Sequence, residues 1–245
     1  MSDKERCSKK WTFEALTDIW TGDAQRKGER TITTGLLGSI RWWFEVLVRG
    51  LGGSACDPTR FGNRCPDHRN KPIETGHHCV VCELFGCTGW ARKFRFEVLD
   101  KTGQVKLEQI NKESHDKESQ EFTLRFTELR PIEPAEWALL DATFRLIERY
   151  GALGGKTKIG KSNNGIKGRP KNGMGQVRVE SSPSTLGSWT WQQISSHLHH
   201  SRWRRPNHNG FKWAAADKLE ELPERQRSPE ALWAHLRSDS SGGGQ

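Results

Sequence analysis

The stretch TTGLLGSIRWWFEVLVRG, residues Thr33–Gly50, decides the fold class, because a glycine-punctuated turn runs straight into a helical pattern. Its apolar residues recur at helical spacing and form one stripe: Ile40, Trp43, Phe44, Leu47 and, just beyond the stretch, Leu51. Ser39 is the predicted N-cap, since its hydroxyl can accept a hydrogen bond from a free amide of the first turn. Arg41, Glu45 and Arg49 are predicted to form a solvated charge ladder on the opposite side. We therefore expect an amphipathic helix that lies on a sheet.

Alternating apolar and polar residues on both sides of this helix predict the strands of that sheet. The predicted strands are Lys10–Leu16, Arg92–Leu99, Glu121–Glu128 and Gly175–Glu180. A second helix is predicted over Pro134–Tyr150, where proline occupies the favoured first helical position. The resulting order of strand, helix, strand, strand, helix and strand predicts an α+β fold of the ferredoxin-like (RRM-like) type.

The organisation of the rest of the chain is read from its composition. Residues 1–180 are predicted to form the ferredoxin-like domain, interrupted after its first helix by a cysteine-rich loop at about 54–83. Residues 181–237 carry only weak helical periodicity and are predicted to be a mainly helical extension. The serine- and glycine-rich residues 238–245 are predicted to be a flexible tail.

Charge and hydropathy narrow the class of partner. The net charge of +9 points to a polyanion, with nucleic acid the first candidate and a merely solvated basic face the alternative. No stretch approaches the roughly 20 continuous apolar residues of a membrane span, and the charged N-terminus lacks a signal-peptide core. We therefore expect a cytoplasmic protein, in which clustered cysteines are better explained by metal than by disulfides.

Four of the six cysteines lie close together in the sequence, as Cys56-x8-Cys65 and Cys79-x2-Cys82. Two thiolates separated by two residues can turn back onto one tetrahedral ion, and a distant pair supplies the remaining ligands. Cys56, Cys65, Cys79 and Cys82 are therefore predicted to hold a structural Zn²⁺. His68 is an alternative to Cys56 as a ligand, and His77 and His78 are weaker substitutes. The other two cysteines, Cys7 and Cys87, fall outside the spacing and are predicted to be plain thiols.

A glycine-rich stretch whose charged residues are all positive lies between the second predicted helix and the last predicted strand. From Gly155 to Gly175 there are no acidic residues and six basic ones: Lys156, Lys158, Lys161, Lys167, Arg169 and Lys171. Glycine lets the backbone approach a phosphate closely and adds amide donors to the lysine charges. Gly155, Gly160, Lys161 and Ser162 match a P-loop literally, but the stretch follows a helix, so nucleotide hydrolysis is disfavoured. The stretch is predicted to bind phosphate backbones, with a plain flexible loop as the alternative.

Three stretches of the chain together resemble the RAMP superfamily of CRISPR effector proteins. They are Thr12–Asp23, then Gly35–Leu47 with its GSIRWW core and the later Leu84–Gly86, and finally Gly151–Gly160. The resemblance spans roughly residues 10–180 and is strongest to the first RAMP subunits of Cmr (type III-B) complexes. GSIRWW is its most specific part.

The resemblance implies an RNA-binding subunit of a CRISPR ribonucleoprotein in antiviral defence, which contacts guide or target RNA without cleaving it. Its implied partners are CRISPR RNA, target RNA and other RAMP subunits. By this resemblance, Arg41 and the loop Lys156–Lys171 are expected to contact RNA.

The alternative function is that of a RAMP-type endoribonuclease, for which Asp18, Asp23 and His68 could be proposed as general acid and base. A DNA-binding zinc finger is disfavoured, because paired cysteines are not followed by paired histidines on a helix. If the lysine loop does not bind RNA, the basic stretch His197–Lys212 is the next candidate, with Trp203 and Trp213 expected to be available for stacking on bases.

Overall fold

The structure is a computed structural model that describes residues 7–22, 28, 30–57, 59–106, 108–110, 121–155, 173–183, 188–207 and 209–238. Its strands and helices are β1 Ser8–Ala15, α1 Thr33–Gly50, α2 Val80–Phe85, β2 Phe94–Leu99, β3 Glu121–Glu128, α3 Pro134–Tyr150, β4 Val177–Ser181, α4 Trp191–Leu198 and α5 Pro229–Arg237. The predicted α+β class is confirmed. No helix among these residues is long and apolar enough to cross a membrane.

The chain divides into two compact units. The first comprises Met1–Trp43, Phe94–Pro131 and Phe144–Pro183. The second comprises Phe44–Lys93, Ile132–Thr143 and Ser184–Gln245.

A four-stranded sheet in the order β2-β3-β1-β4 forms the first unit, and every neighbouring pair is antiparallel. Alternation explains why these segments are strands, since Trp11, Phe13 and Ala15 of β1 are all buried. Phe13 stacks on Phe122 of β3 at a centroid distance of 5.4 Å and meets Phe144 of α3 edge-on at 5.2 Å. Such aromatic pairs add about 0.5–1.5 kcal/mol each beyond their buried area. The core of this unit is therefore the aromatic face of β1 and β3, covered by the second half of α3.

The start of α1 differs from the prediction. The helix begins at Thr33, because the amides of Gly35 and Leu36 donate to the carbonyl of Ile32 and close the first turn there. Ser39 is therefore inside the helix and the predicted N-cap is wrong. Its hydroxyl instead accepts a hydrogen bond from the amide of Gly154, at 3.1 Å.

The second unit has an apolar core of its own, to which α2, α4 and α5 contribute. Phe44 of α1 meets Phe85 of α2 edge-on at 5.2 Å, and both rings are buried. The α4 helix begins with a capping box in which Thr190 and Gln193 satisfy each other's backbone amides. The buried Trp233 of α5 donates its indole N–H to the carbonyl of Trp189 at 3.0 Å. Capping and one long-range indole hydrogen bond thus fix the two C-terminal helices, whose sequences show only weak periodicity.

Candidate functional site

Both ends of the glycine-rich stretch are anchored in the first unit. At the leading end, the amide of Gly155 donates to the carbonyl of Trp20 at 2.8 Å, and the indole N–H of Trp43 donates to the carbonyl of Ala152 at 2.8 Å. At the trailing end, the amide of Gly175 donates to the carbonyl of Asp18 at 2.8 Å. The two ends also bond each other, since the amide of Leu153 donates to the carbonyl of Gly175 at 2.7 Å. The turn after β1 and the GSIRWW helix therefore hold the base of this stretch.

Glycine is required at this base because the neighbours approach the backbone closely. A Cβ on Gly151 would lie 2.6 Å from the indole of Trp43. Gly154 has a φ of +88°, and a Cβ there would lie 2.5 Å from the carbonyl oxygen of Trp20. A side chain at either position would push the anchored ends away from α1 and β1.

We expect Gly175→Ala to lower the free energy of unfolding by about 3 kcal/mol, because it combines left-handed backbone strain with a steric clash. Gly175 has a φ of +85°, and an added Cβ would overlap the carbonyl oxygen of Leu153. The matched control is Gly103→Ala, since Gly103 has a φ of +84° and nothing within 4 Å of its Cβ position. Urea denaturation of both variants measures the difference. Equal losses would show that the base of the stretch is not closely packed.

The predicted RNA-contacting residues divide into two groups. Lys156, Lys158, Lys161, Lys167, Arg169 and Lys171 lie outside the described residues. Arg41 is described, and it is half-buried on α1, within the same unit as the anchored glycines. Of the residues considered for RNA cleavage, Asp18 lies in the anchoring turn after β1, and His68 is exposed in the second unit. Asp23 lies outside the described residues.

The four predicted metal ligands come together in the second unit. The sulfur atoms of Cys56, Cys65, Cys79 and Cys82 all lie within 4.8 Å of one another, and Cys79 and Cys82 are fully buried. Cys56 Sγ is 3.9 Å from Cys79 Sγ and 3.7 Å from Cys82 Sγ. A tetrahedral ion with Zn–S bonds of about 2.3 Å holds its sulfur atoms about 3.8 Å apart. The cluster could therefore hold a metal ion.

The local backbone supports these sulfur atoms as metal ligands. The amide of Cys65 donates to Cys56 Sγ, and the amide of Cys79 donates to Cys65 Sγ, both at 3.2 Å. Cys79 directly precedes the first residue of α2, and Cys82 lies in its first turn, so the Cys-x2-Cys pair straddles a helix start. The sequence did not predict this helix of about one and a half turns, because it is too short to show a periodic pattern.

Proton sharing among the thiols also fits a cation site. Hydrogen bonds from Cys56, Cys65 and Cys82 lower the pKa of Cys79 well below its usual value. The hydrogen bond to Cys65 and then that to Cys79 raise the pKa of Cys56. One thiolate is thus stabilised by protonated neighbours, and a bound cation would replace those protons.

The histidines considered as substitute ligands have other roles. His68 is exposed and lies outside the cluster. The buried His77 and His78 face each other, with their Nδ1 atoms 2.8 Å apart, and His78 Nε2 lies 2.6 Å from a carboxylate oxygen of Glu83. Among the described residues, the set of four cysteines is therefore the one that geometry favours.

Arg49 and Arg204 place positive charge beside the cysteines. Arg49 is buried, and it donates to the carbonyl of Cys56 at 2.6 Å and to that of Ala214 at 3.0 Å. Arg204 Nη1 lies 3.8 Å from Cys65 Sγ. Because four thiolates around a divalent ion carry two net negative charges, these guanidinium groups would balance the site. The prediction of a solvated ladder is wrong here, since both Arg49 and its partner Glu45 are buried.

A buried ion-pair network next to the cluster has no signature in the sequence. Lys93 Nζ lies 2.6 Å from Glu83 Oε1 and 2.9 Å from Glu136 Oε2. Glu136 also accepts the amide of Glu133 at 2.7 Å and so caps α3. Lys93 and Glu136 are 4% and 1% exposed, so the charges are desolvated and depend on one another. The network fixes α2, which carries Cys82, to the first turn of α3.

Comparison with known proteins identifies a family for this chain. The model of the RAMP superfamily matches residues 12–163. No curated protein matches the chain. The crystal structure of apo Cmr1 from Pyrococcus furiosus is similar at 15% identity and a TM-score of 0.39, over 74% of this chain and 51% of that chain. The Csm3-Csm4 subcomplex of the type III-A CRISPR-Cas interference complex is similar at 13% identity and a TM-score of 0.33, over 70% of this chain and 74% of that chain. The chain thus matches about half the length of the Cmr1 chain.

Proposed function

Because the chain belongs to the RAMP superfamily, we propose that it is an RNA-binding subunit of a type III, Cmr-like CRISPR ribonucleoprotein. It contacts CRISPR RNA or target RNA without cleaving it and assembles with other RAMP subunits. The order of the elements around the sheet, together with the strand order β2-β3-β1-β4, supports a ferredoxin-like RAMP domain. The net charge of +9 supports a polyanionic partner.

The observation that carries this proposal is the anchoring of the glycine-rich stretch at both ends. Gly155 and Gly175 bond the turn after β1, and the intervening residues bring six basic side chains and no acid. A segment tied at its base and unopposed in charge suits the sugar-phosphate backbone of RNA, which is read without sequence preference. Arg41 lies in the same unit and is proposed to add a further RNA contact.

We further propose that the cysteine cluster holds one structural Zn²⁺. Four thiolates suit zinc, and four protein ligands leave no open position for catalysis. Cys56, Cys65, Cys79 and Cys82 would hold the ion, and Arg49 and Arg204 would balance its charge. The ion would cross-link a loop whose residues 67–76 are mostly exposed.

Changing Lys156, Lys158 and Lys161 together to Ala should flatten the salt dependence of RNA binding by up to about 2 units in log K against log salt. Each neutralised phosphate of a single strand contributes about 0.7 to that slope. Affinity should fall to a similar degree for RNA oligonucleotides of unrelated sequence, because phosphates carry no sequence information. Fluorescence anisotropy titrations between 50 and 200 mM salt, roughly the range over which such effects are largest, measure both quantities.

The matched control for the lysine loop is the double change Lys112→Ala and Lys117→Ala. Those lysines lie in the segment 111–120, where Glu113, Asp116 and Glu118 oppose them. The control should leave the slope unchanged. A triple variant that keeps the wild-type slope and affinity would show that the glycine-rich stretch is only a connector.

A further inference from the structure

Residues 199–216, here named the basic strap, are fastened to the cysteine loop of the second unit at several points. The bonded pairs are His199 Nε2 with the Gly52 carbonyl at 3.1 Å, the Gly76 amide with the Arg202 carbonyl at 2.9 Å, the Arg204 amide with the His78 carbonyl at 3.0 Å, and the Ser54 hydroxyl with the Pro206 carbonyl at 2.9 Å. The guanidinium of Arg204 adds hydrogen bonds to the carbonyls of Gly62 and Arg64. The described residues of the strap form no strand or α-helix, so these bonds hold it in place.

The strap is basic throughout. Arg202, Arg204, Arg205 and Lys212 are its charged residues, and it contains no Asp or Glu. Arg205 and Lys212 are exposed. Sites for single-stranded nucleic acid combine positive charge that binds the phosphates with aromatic rings that stack on the bases, and the strap supplies the positive charge.

The two tryptophans of the strap differ in exposure. Trp203 is 6% exposed, its indole N–H donates to the carbonyl of His197 at 2.6 Å, and the guanidinium of Arg202 lies 3.9 Å from its ring. It therefore has no free face for a ligand, and the expectation that it is available for stacking is wrong. Trp213 is 66% exposed. The sequence alone could not distinguish the two rings.

The exposed ring of Trp213 packs against a buried aromatic side chain. It meets the buried Phe211 edge-on at 5.0 Å, and Phe211 in turn lies under the guanidinium of Arg49 at 4.9 Å. The carbonyl of the next residue, Ala214, accepts the hydrogen bond from Arg49. The position of Trp213 is thus fixed by the same arginine that borders the cysteine cluster.

We infer that Trp213 stacks on a base of single-stranded RNA whose phosphates are held by the exposed cations of the strap. A protein-docking surface is rich in apolar side chains at its centre, whereas Trp213 is the one exposed large hydrophobic among the described residues of the strap. An exposed aromatic ring in a segment that also carries exposed cations, here Arg205 and Lys212, is instead the combination that binds single strands. This inference rests on the proposed RNA-binding function and adds to it a second contact surface, in the second unit.

The test compares Trp213→Ala with Trp213→Phe in the full-length protein, using anisotropy with a labelled single-stranded uridine oligonucleotide. Loss of one stacked base should weaken binding roughly tenfold or more, whereas phenylalanine should stay within about threefold of wild type. The salt slope should not change in either variant, because no phosphate contact is removed. Ile73→Ala serves as the control, since Ile73 is an exposed apolar residue of the same unit and should have no effect.

The outcomes separate this inference from the function on which it rests. Suppose that the wild-type protein binds RNA, that the triple lysine variant binds it more weakly, and that Trp213→Ala binds it with wild-type affinity. The inference about Trp213 is then overturned, and the proposed RNA-binding function stands. If wild type does not bind RNA at all, the proposed function fails. If Trp213→Ala keeps RNA affinity but loses association with other subunits, the surface docks a protein, which also overturns the inference.

Discussion

If the cysteine cluster holds the proposed Zn²⁺, removing the ion should unfold the cysteine loop and the basic strap while leaving the four-stranded sheet folded. Structural zinc sites in small peptides contribute about 10–16 kcal/mol near neutral pH, which is the largest single effect expected in this protein. Residues 67–76 of the loop are mostly exposed, whereas the sheet packs on the aromatic core of Trp11, Phe13 and Phe144. Hydrogen exchange before and after addition of a chelator measures the effect on each unit separately.

Replacing Cys79 and Cys82 with Ser should reproduce the effect of the chelator, because both are buried members of the cluster. The matched control is Cys87→Ser, since Cys87 lies outside the group of four. Metal analysis should find one zinc per chain in wild type and in the control, and none in the double variant. A wild-type protein with well below one zinc per chain would rule out the structural zinc.

Replacing Lys93 with Met should lower the free energy of unfolding by about 3–5 kcal/mol, the second largest effect expected. Lys93 Nζ bridges the carboxylates of Glu83 and Glu136, and replacing it removes the ammonium group from the buried Glu136 and the half-buried Glu83. Burial already raises the pKa of Glu136, so its ionised form depends on this ammonium group. Urea denaturation with zinc present measures the loss.

Two further variants test whether the loss comes from the uncompensated charge. Adding Glu136→Gln to Lys93→Met should recover part of the stability, because one of the orphaned charges is removed. Arg95→Met removes a cation two residues away whose side chain is 59% exposed and pairs with Glu97, and it should cost at most about 1 kcal/mol. A Lys93→Met variant as stable as the Arg95→Met control would show that the network does not hold α2 to α3.

The parts of the fold that could be predicted from the sequence are those set by interactions between residues close together in the chain. The four strands lie within two residues of their predicted bounds, since alternation along one strand reports its own buried face. The start of α1 was misplaced because Ile32, a residue outside the periodic pattern, accepts its first hydrogen bonds. The burial of Glu45 and Arg49 was also missed. A charge pattern on one helix contains no information about the distant carbonyl of Ala214 that Arg49 binds.

The candidate sites likewise divide into features set by local sequence, which could be predicted, and features set by tertiary packing, which could not. The cysteine cluster could be predicted, because Cys-x2-Cys spacing is a local requirement of tetrahedral coordination. The base of the glycine-rich stretch could be suspected only from the family resemblance, since Trp20 and Gly155 are joined by a hydrogen bond across 135 positions of the chain. The pairing of Lys93 with Glu136 and the exposure of Trp213 depend on tertiary packing alone.

The measurement that most directly tests the proposed function is incubation of the purified full chain with end-labelled single-stranded RNA, with and without chelator. Native and denaturing gels run in parallel then report binding and cleavage on the same samples. We expect an RNA complex on the native gel and full-length RNA on the denaturing gel at every time point. Shortened RNA that depends on the protein would instead make it an endoribonuclease, and the absence of any complex would contradict the RNA-binding function itself.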